Sequence, residues 1–242
     1  MPGGDGARVK IIGILSWYDE QPAWLSGVIA SLSKVGITHL VAVDGAYGLY
    51  PNGRGYSGPG QHQVVMETCQ GLQMGCLIYT PPEPWFGNEV EKRNYAFQLA
   101  ETIAEPNEDW YFLVDADHFV STAIGHTKVL EQTECDVAEV RFFERYGGID
   151  SGGMLRCVFR AIPGLRFDTN HFTYRLPDGR NLHNPTEPCA GLHMIEVEHR
   201  TMNRDRWRKE SQQSYYTRRD ELRVEYAPDE TPFSMPEVEE VG

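Results

Sequence analysis

Residues 110–120 read WYFLVDADHFV, an apolar run that breaks at Val114 into Asp115-Ala116-Asp117-His118. An apolar run of this length bounded by polar residues predicts a buried strand. Successive strand residues point to opposite faces, so Asp115 and Asp117 share a side and converge on one ligand if strand geometry persists past Val114. With 13 aspartates in 242 positions, chance alone supplies about 0.7 copies of Asp-x-Asp, so the pattern takes its meaning from its surroundings.

Upstream, residues 9–15 (VKIIGIL) and 38–43 (THLVAV) read as nearly continuous apolar strands of a sheet covered on both faces. Between them Pro22 suits a first helical turn, Trp24, Leu25, Val28, Ile29, Leu32 and Val35 recur at helical spacing, and Gly36 is placed to end the helix. CLIYT (76–80) predicts a third strand. Glu89 to about Glu105 predicts a second helix, with Asn88 as cap and Val90, Phe97, Ala100, Ile103 and Ala104 facing inward. Downstream, VAEVRFF (137–143) and LRCVFR (155–160) read as further strands. The alternation predicts one open α/β domain over 9–224, with a flexible start (1–8) and an acidic, loosely ordered tail (225–242). Ligands of such sheets sit beyond the carboxyl ends of the strands, where Ser16-Trp17-Tyr18-Asp19, Asp44-Gly45 and Asp115-Ala116-Asp117 all fall.

Composition narrows the function. A net charge of −13 argues against binding a nucleic-acid backbone, whose affinity comes from Lys and Arg releasing counterions. The basic residues concentrate in 200–223. Five scattered cysteines without C-x-x-C spacing argue against a thiolate zinc site or a disulfide framework. No apolar run approaches the roughly 20 residues that span a bilayer, and MPGGDGARVK lacks the apolar middle of a signal peptide, so the expected location is cytoplasmic. The glycine-rich piece 45–60 contains neither G-x-x-x-x-G-K-[ST] nor a helix-opening G-x-G-x-x-G, and reads as a surface loop or a mobile cover over a pocket.

Two carboxylates at a strand end suit Mg²⁺ or Mn²⁺, which bind through one or two such groups plus the phosphates of a substrate. A metal on a nucleoside diphosphate would stabilise the charge that develops as a sugar–oxygen bond breaks. Asp117 is the expected direct ligand, with Asp115 on the ribose or a metal-bound water. Lys92 and Arg93 sit in a helical first turn, beside the positive end of the dipole, where a donor diphosphate or the flanking Glu89 and Glu91 offset them.

WYFLVDADHF, preceded by NEVEKRNYAFQLA, resembles the core of family-2 glycosyltransferases of GT-A fold, the nucleotide-diphospho-sugar transferase type. Strand one followed by Ser16–Glu20, and strand two ending in VDGAY, are similar to that family's two nucleotide-contacting loops. The resemblance covers about residues 9–210, more specifically in the first half. It implies an open, mostly parallel sheet with helices on both faces, a nucleotide-sugar donor (uridine diphosphate first) and an acceptor that the sequence does not identify. It implies donor contacts from Ser16, Tyr18, Asp44 (to the base), Arg93 and Asp115. LRCVFRAIPGLRFDTNHF and VEHRT are similar to the family's later segments, which puts His199 where a late His completes the metal shell with Asp115 and Asp117. His171 and His193 are rivals, and His118 reads equally as a hydrogen-bonding neighbour.

The chain departs from that pattern where many relatives carry Glu after the first late His; here Phe172 follows His171. A base for the acceptor hydroxyl must then come from elsewhere, and Glu144 and Asp168 are the candidates. Arg200, Arg204, Arg206, Arg208 and Lys209 suit a phosphate clamp or a solvated helix face. The same residues leave open a non-catalytic nucleotide- or carbohydrate-binding protein on this scaffold. A nucleotidyltransferase fits worse, because ILSWYDEQPAW lacks a glycine-rich basic loop.

Overall fold

The computed structural model describes residues 9–48, 50, 53–85, 89–146, 149–168, 173–200, 203 and 206–226. The first eight residues, Asn88, His171 with Phe172, and the acidic segment from 227 lie outside the described residues.

The expected open α/β sheet with helices on both faces is present. Strands β1 (Ile11–Ser16), β2 (His39–Val43), β3 (Gly75–Tyr79) and β4 (Trp110–Asp115) run parallel in the spatial order β3-β2-β1-β4. Helices α1 (Pro22–Leu32), α2 (Gln61–Gly71) and α3 (Glu89–Glu101) connect them. Parallel crossovers are right-handed, so the two stepping outward from β1 leave α1 and α2 on one face, and the one returning past β1 to β4 leaves α3 on the other. All six residues of β1 are buried, as cover on both sides requires. After α1 a 3₁₀ turn (Ser33–Val35) ends at Gly36, whose φ of 72° is left-handed. The sequence reading assigns no helix to 61–71, because α2 buries only Gln61, Val65 and Cys69, too thin an apolar stripe to detect.

The second half of the sheet is mixed. It contains β5 (His118–Ala123), β6 (Val137–Tyr146), β7 (Ile149–Arg160) and, after the small hairpin of β8 (Arg166–Phe167) and β9 (Tyr174–Arg175), β10 (Cys189–His199). The order continues β4-β7-β6-β10-β5, with β6 and β10 parallel and the other pairings antiparallel. Helix α4 (His126–Gln132) follows β5, and α5 (Arg206–Tyr226) follows β10. Although β5 comes two residues after β4 in sequence, it lies at the far edge, so the sheet curls around α1. There the Trp24 and Phe119 rings meet edge to face at 5.0 Å, and Ser31 Oγ accepts the Val120 N–H at 3.0 Å. Among the described residues, no helix is long and apolar enough to cross a membrane.

One feature of the pairing positions the site. Strands β4 and β7 are paired only from Trp110 to Phe112, opposite Arg160 to Val158. Beyond Phe112 they part, and a gap opens at the carboxyl end of β4.

Candidate active site

The gap is a cavity of about 500 Å³, within the range of small-molecule sites. Leu113–His118 form one side and Leu155–Cys157 of β7 another. The loops after β1 and β2, the first turn of α3, and Tyr215 and Tyr216 of α5 complete the wall.

The Asp-Ala-Asp geometry differs from the strand extension expected from sequence. Strand β4 stops at Asp115, and Ala116-Asp117 form a turn into β5. Trp24 Nε1 donates to the Ala116 carbonyl at 2.7 Å and the Arg200 N–H to the Asp117 carbonyl at 2.8 Å, which pins that turn. The two carboxylates therefore have different partners. Both oxygens of Asp115 accept from Arg93 Nη2, at 2.8 and 3.0 Å. Burial raises the Asp115 pKa, but Arg93 and His118 outweigh it and hold the group below the usual carboxylate value. Asp117, 4% exposed, points instead to β10, with Oδ2 3.1 Å from His199 Nε2.

Sheet register then builds a row of three. Glu144 of β6 is the lateral partner of His199 on β10, and His199 that of His118 on β5. The other face of the His199 ring, Nδ1, contacts Glu144 Oε1. Burial pulls the His199 pKa down, yet Asp117 and Glu144 overcome it and the net shift is upward. For His118 burial prevails over the nearby aspartates, and the net shift of its pKa is downward. Phe142 packs against both imidazoles with centroids 5.3 Å away.

Ligand atoms of Asp117, His118 and His199 all lie within 4.8 Å of one another. One carboxylate and two imidazoles fit a first-row divalent cation such as Mn²⁺; Mg²⁺, which prefers an all-oxygen shell, fits less well. His118 is the least prepared of the three, because its Nδ1 already accepts the Asp115 N–H at 3.2 Å. Asp115, expected from sequence beside Asp117, is turned to Arg93 instead.

The other expected residues divide between cavity and scaffold. Ser16, Tyr18 and Arg93 line the cavity. Asp44, 2% exposed, is not among the lining residues: its carboxylate accepts the N–H groups of Gly45 (2.6 Å) and Ser57 (2.8 Å) and contacts the Ser57 hydroxyl. Asp44 thus anchors the glycine-rich loop at Gly45 and Ser57. Lys92, 2% exposed, donates to the carbonyls of Trp17 (2.6 Å) and Gly45 (2.8 Å), joining the loops after β1 and β2. Asn94, two residues along, holds β8 through the Phe167 N–H (2.8 Å) and carbonyl (3.1 Å). Asp168 lies outside the cavity wall, paired with Arg175 at 2.8 Å. Arg200 pairs with Glu198 and Arg206 with Glu210; Arg204 lies outside the described residues. His193 is exposed and away from the cluster.

Sequence reasoning missed the aromatic wall. Tyr50 and Tyr215 stack at 4.9 Å with 13° between planes, Tyr47 and Tyr18 pack around them, and the Tyr215 hydroxyl donates to Glu89 Oε2 at 2.8 Å. Tyr215 is far in the chain from Tyr18, Tyr47 and Tyr50 and joins them only when α5 docks.

No family model and no curated protein matches the chain. Among solved structures it is similar to crystal structures of S. aureus TarS. One aligns at TM-score 0.41 and 18% identity, over 57% of this chain and 22% of that one. A second, of TarS 1–349, has the same TM-score and identity over 57% of this chain and 37% of that one. The chain therefore spans well under half the length of the structures it matches.

Proposed function

We propose that this chain is a metal-dependent glycosyltransferase that moves a sugar from a nucleoside diphosphate sugar, uridine diphosphate being the first candidate carrier, to an acceptor hydroxyl. The observation that carries the reading is the convergence of Asp117, His118 and His199 on the cavity at the carboxyl end of β4. Asp117 and His199 would hold a Mn²⁺ ion, with His118 as a third donor. The chemistry such an ion supplies is stabilisation of negative charge on the departing diphosphate. Ser16 and Tyr18 stand on the loop that would face the nucleotide, and Arg93 adds positive charge to the cavity wall.

A second reading is favoured by one observation: both carboxylates expected as base are engaged, Glu144 with His199 and Asp168 with Arg175. A protein that binds nucleotide or carbohydrate without turnover accounts for that. The test is a panel of nucleotide sugars with Mn²⁺, read as nucleotide release for wild type and Asp117→Ala. Donor-specific release that the variant loses supports the transferase. Equal release from both proteins defeats the metal site, and thermal stabilisation by nucleotide with Mn²⁺ but no release from any donor supports the binding protein.

A further inference from the structure

We propose that Glu144 is a positioning residue that fixes the imidazole of His199 with Nε2 turned toward Asp117, rather than the base that deprotonates an acceptor. The inference rests on the metal site of the preceding reading. The sheet itself makes the arrangement: Glu144, His199 and His118 are lateral partners on three adjacent strands, and a lateral pair in a sheet has its side chains side by side. Two irregularities precede this row. The register of β10 against β6 shifts between Leu192 and Glu196, where β10 carries the extra residues, and its register against β5 shifts between Glu196 and Val197, where β5 carries the extra residue, Ser121. Bulges re-aim side chains, and both occur within seven residues of His199. After them Val197-Glu198-His199 lies level with Phe142-Phe143-Glu144.

Each ring nitrogen of His199 faces its own carboxylate. Nδ1 meets Glu144 Oε1, and Nε2 lies 3.1 Å from Asp117 Oδ2. A carboxylate on Nδ1 keeps the proton there and directs the Nε2 lone pair to a cation, as in the carboxylate–histidine–metal arrangement of many metal sites. Phe142, two residues before Glu144 and so on the same face of β6, closes the ring on its apolar side.

The experiment compares Mn²⁺ affinity of the full chain by electron paramagnetic resonance for wild type, Glu144→Ala and Glu144→Gln, with ¹⁵N spectra of the metal-free protein reporting the His199 tautomer. Removing such a partner typically weakens metal binding by about 10- to 100-fold. Glu144→Ala is therefore expected to lose at least about tenfold. Glu144→Gln, whose amide oxygen accepts the same N–H, is expected to stay within about threefold of wild type. The spectra of the metal-free protein should show Nδ1 protonated in wild type and Glu144→Gln, and Nδ1 deprotonated in Glu144→Ala, where Asp117 alone holds the ring proton on Nε2. Unchanged affinity and tautomer in Glu144→Ala overturn the proposal, as does wild type that holds no Mn²⁺. Glu144→Gln that holds Mn²⁺ normally yet loses donor-dependent turnover assigns the residue to proton transfer and also overturns it. Because affinity is the readout, wild type that holds Mn²⁺ but turns over no donor defeats the transferase reading alone.

Discussion

Arg93 Nη2 reaches both oxygens of Asp115, at 2.8 and 3.0 Å, while Asp117, two residues on, faces His199. The two acids of one motif therefore have different partners, Asp115 a guanidinium and Asp117 an imidazole. Asp115→Asn leaves the Arg93 guanidinium, 15% exposed, without its counter-charge. Breaking a buried pair this way is strongly destabilising, but Asp115 is itself 35% exposed, so the expected loss is discounted to roughly 1–2 kcal/mol. The folded Asp115 pKa is depressed, so its contribution is present above the ordinary value of 3.8 and is lost as pH falls through the lower folded value. Urea unfolding should show the wild-type advantage at pH 7 and its shrinkage below pH 3.8. Asp117→Asn should do the reverse, weakening Mn²⁺ by about tenfold or more with little change in stability. A stability loss confined to the Asp117 variant would refute this division of labour.

Lys92 illustrates why a basic residue near a cleft need not touch a ligand. Its ammonium is buried against the Trp17 and Gly45 carbonyls and lies 5.4 Å from the centroid of the Tyr47 ring. Lys92→Met keeps the volume and removes the charged donor, leaving those two carbonyls without it. Bonds to a charged group contribute about 1.5–3 kcal/mol each, and relief of the buried charge offsets part of that. A net loss of about 2 kcal/mol is expected in urea unfolding. A variant as stable as wild type would show that Lys92 does not hold the two loops together.

The parallel half of the fold was legible because its signals are local: apolar runs for β1, β2 and β4, Pro22 and Gly36 around the first helical segment, and Glu89 at the start of α3. The site was legible only as a set of residue types. Glu144 and His199 were both singled out from sequence, yet nothing local reveals that they are lateral partners, because that depends on the register shift of β10 against β6 between Leu192 and Glu196. The partners of Asp44 are hidden for the same reason. A carboxylate after a strand looks alike whether it awaits a ligand or holds Ser57, thirteen positions away in the chain.

Gly55 of the glycine-rich loop and Gly71 at the end of α2 yield a pair of predictions with opposite signs. A Cβ on Gly55 would collide with the backbone of Pro82 and Glu83, which cannot yield as a flexible side chain would. Gly55→Ala should cost about 1–3 kcal/mol, the range of overpacking. Gly71, the last residue of α2, has nothing within 4 Å of such a Cβ. Gly71→Ala should be neutral or stabilising by up to about 0.5 kcal/mol, since alanine loses less backbone freedom on entering a helix. Thermal melts of the two variants suffice as a check, and equal shifts would contradict the packing argument.

Tyr215 is the only buried residue of α5 whose side chain is described, at 2% exposure, while most of its described neighbours on the helix face solvent. Among the described side chains of α5, this ring is the buried one that joins the helix to the cavity wall, through its stack on Tyr50 and its hydroxyl on Glu89. Helices with a polar surface gain their stability from tertiary packing, so truncating the ring should release the helix locally rather than unfold the domain. In Tyr215→Ala, amide exchange within 206–218 should quicken by about tenfold or more, with β1 and β4 unchanged. Tyr215→Phe, which keeps the stack and loses only the Glu89 bond, should fall between. Exchange of α5 that is equally slow in all three proteins would mean that other contacts hold the helix over the cavity, and the aromatic wall would then lose its role as the latch.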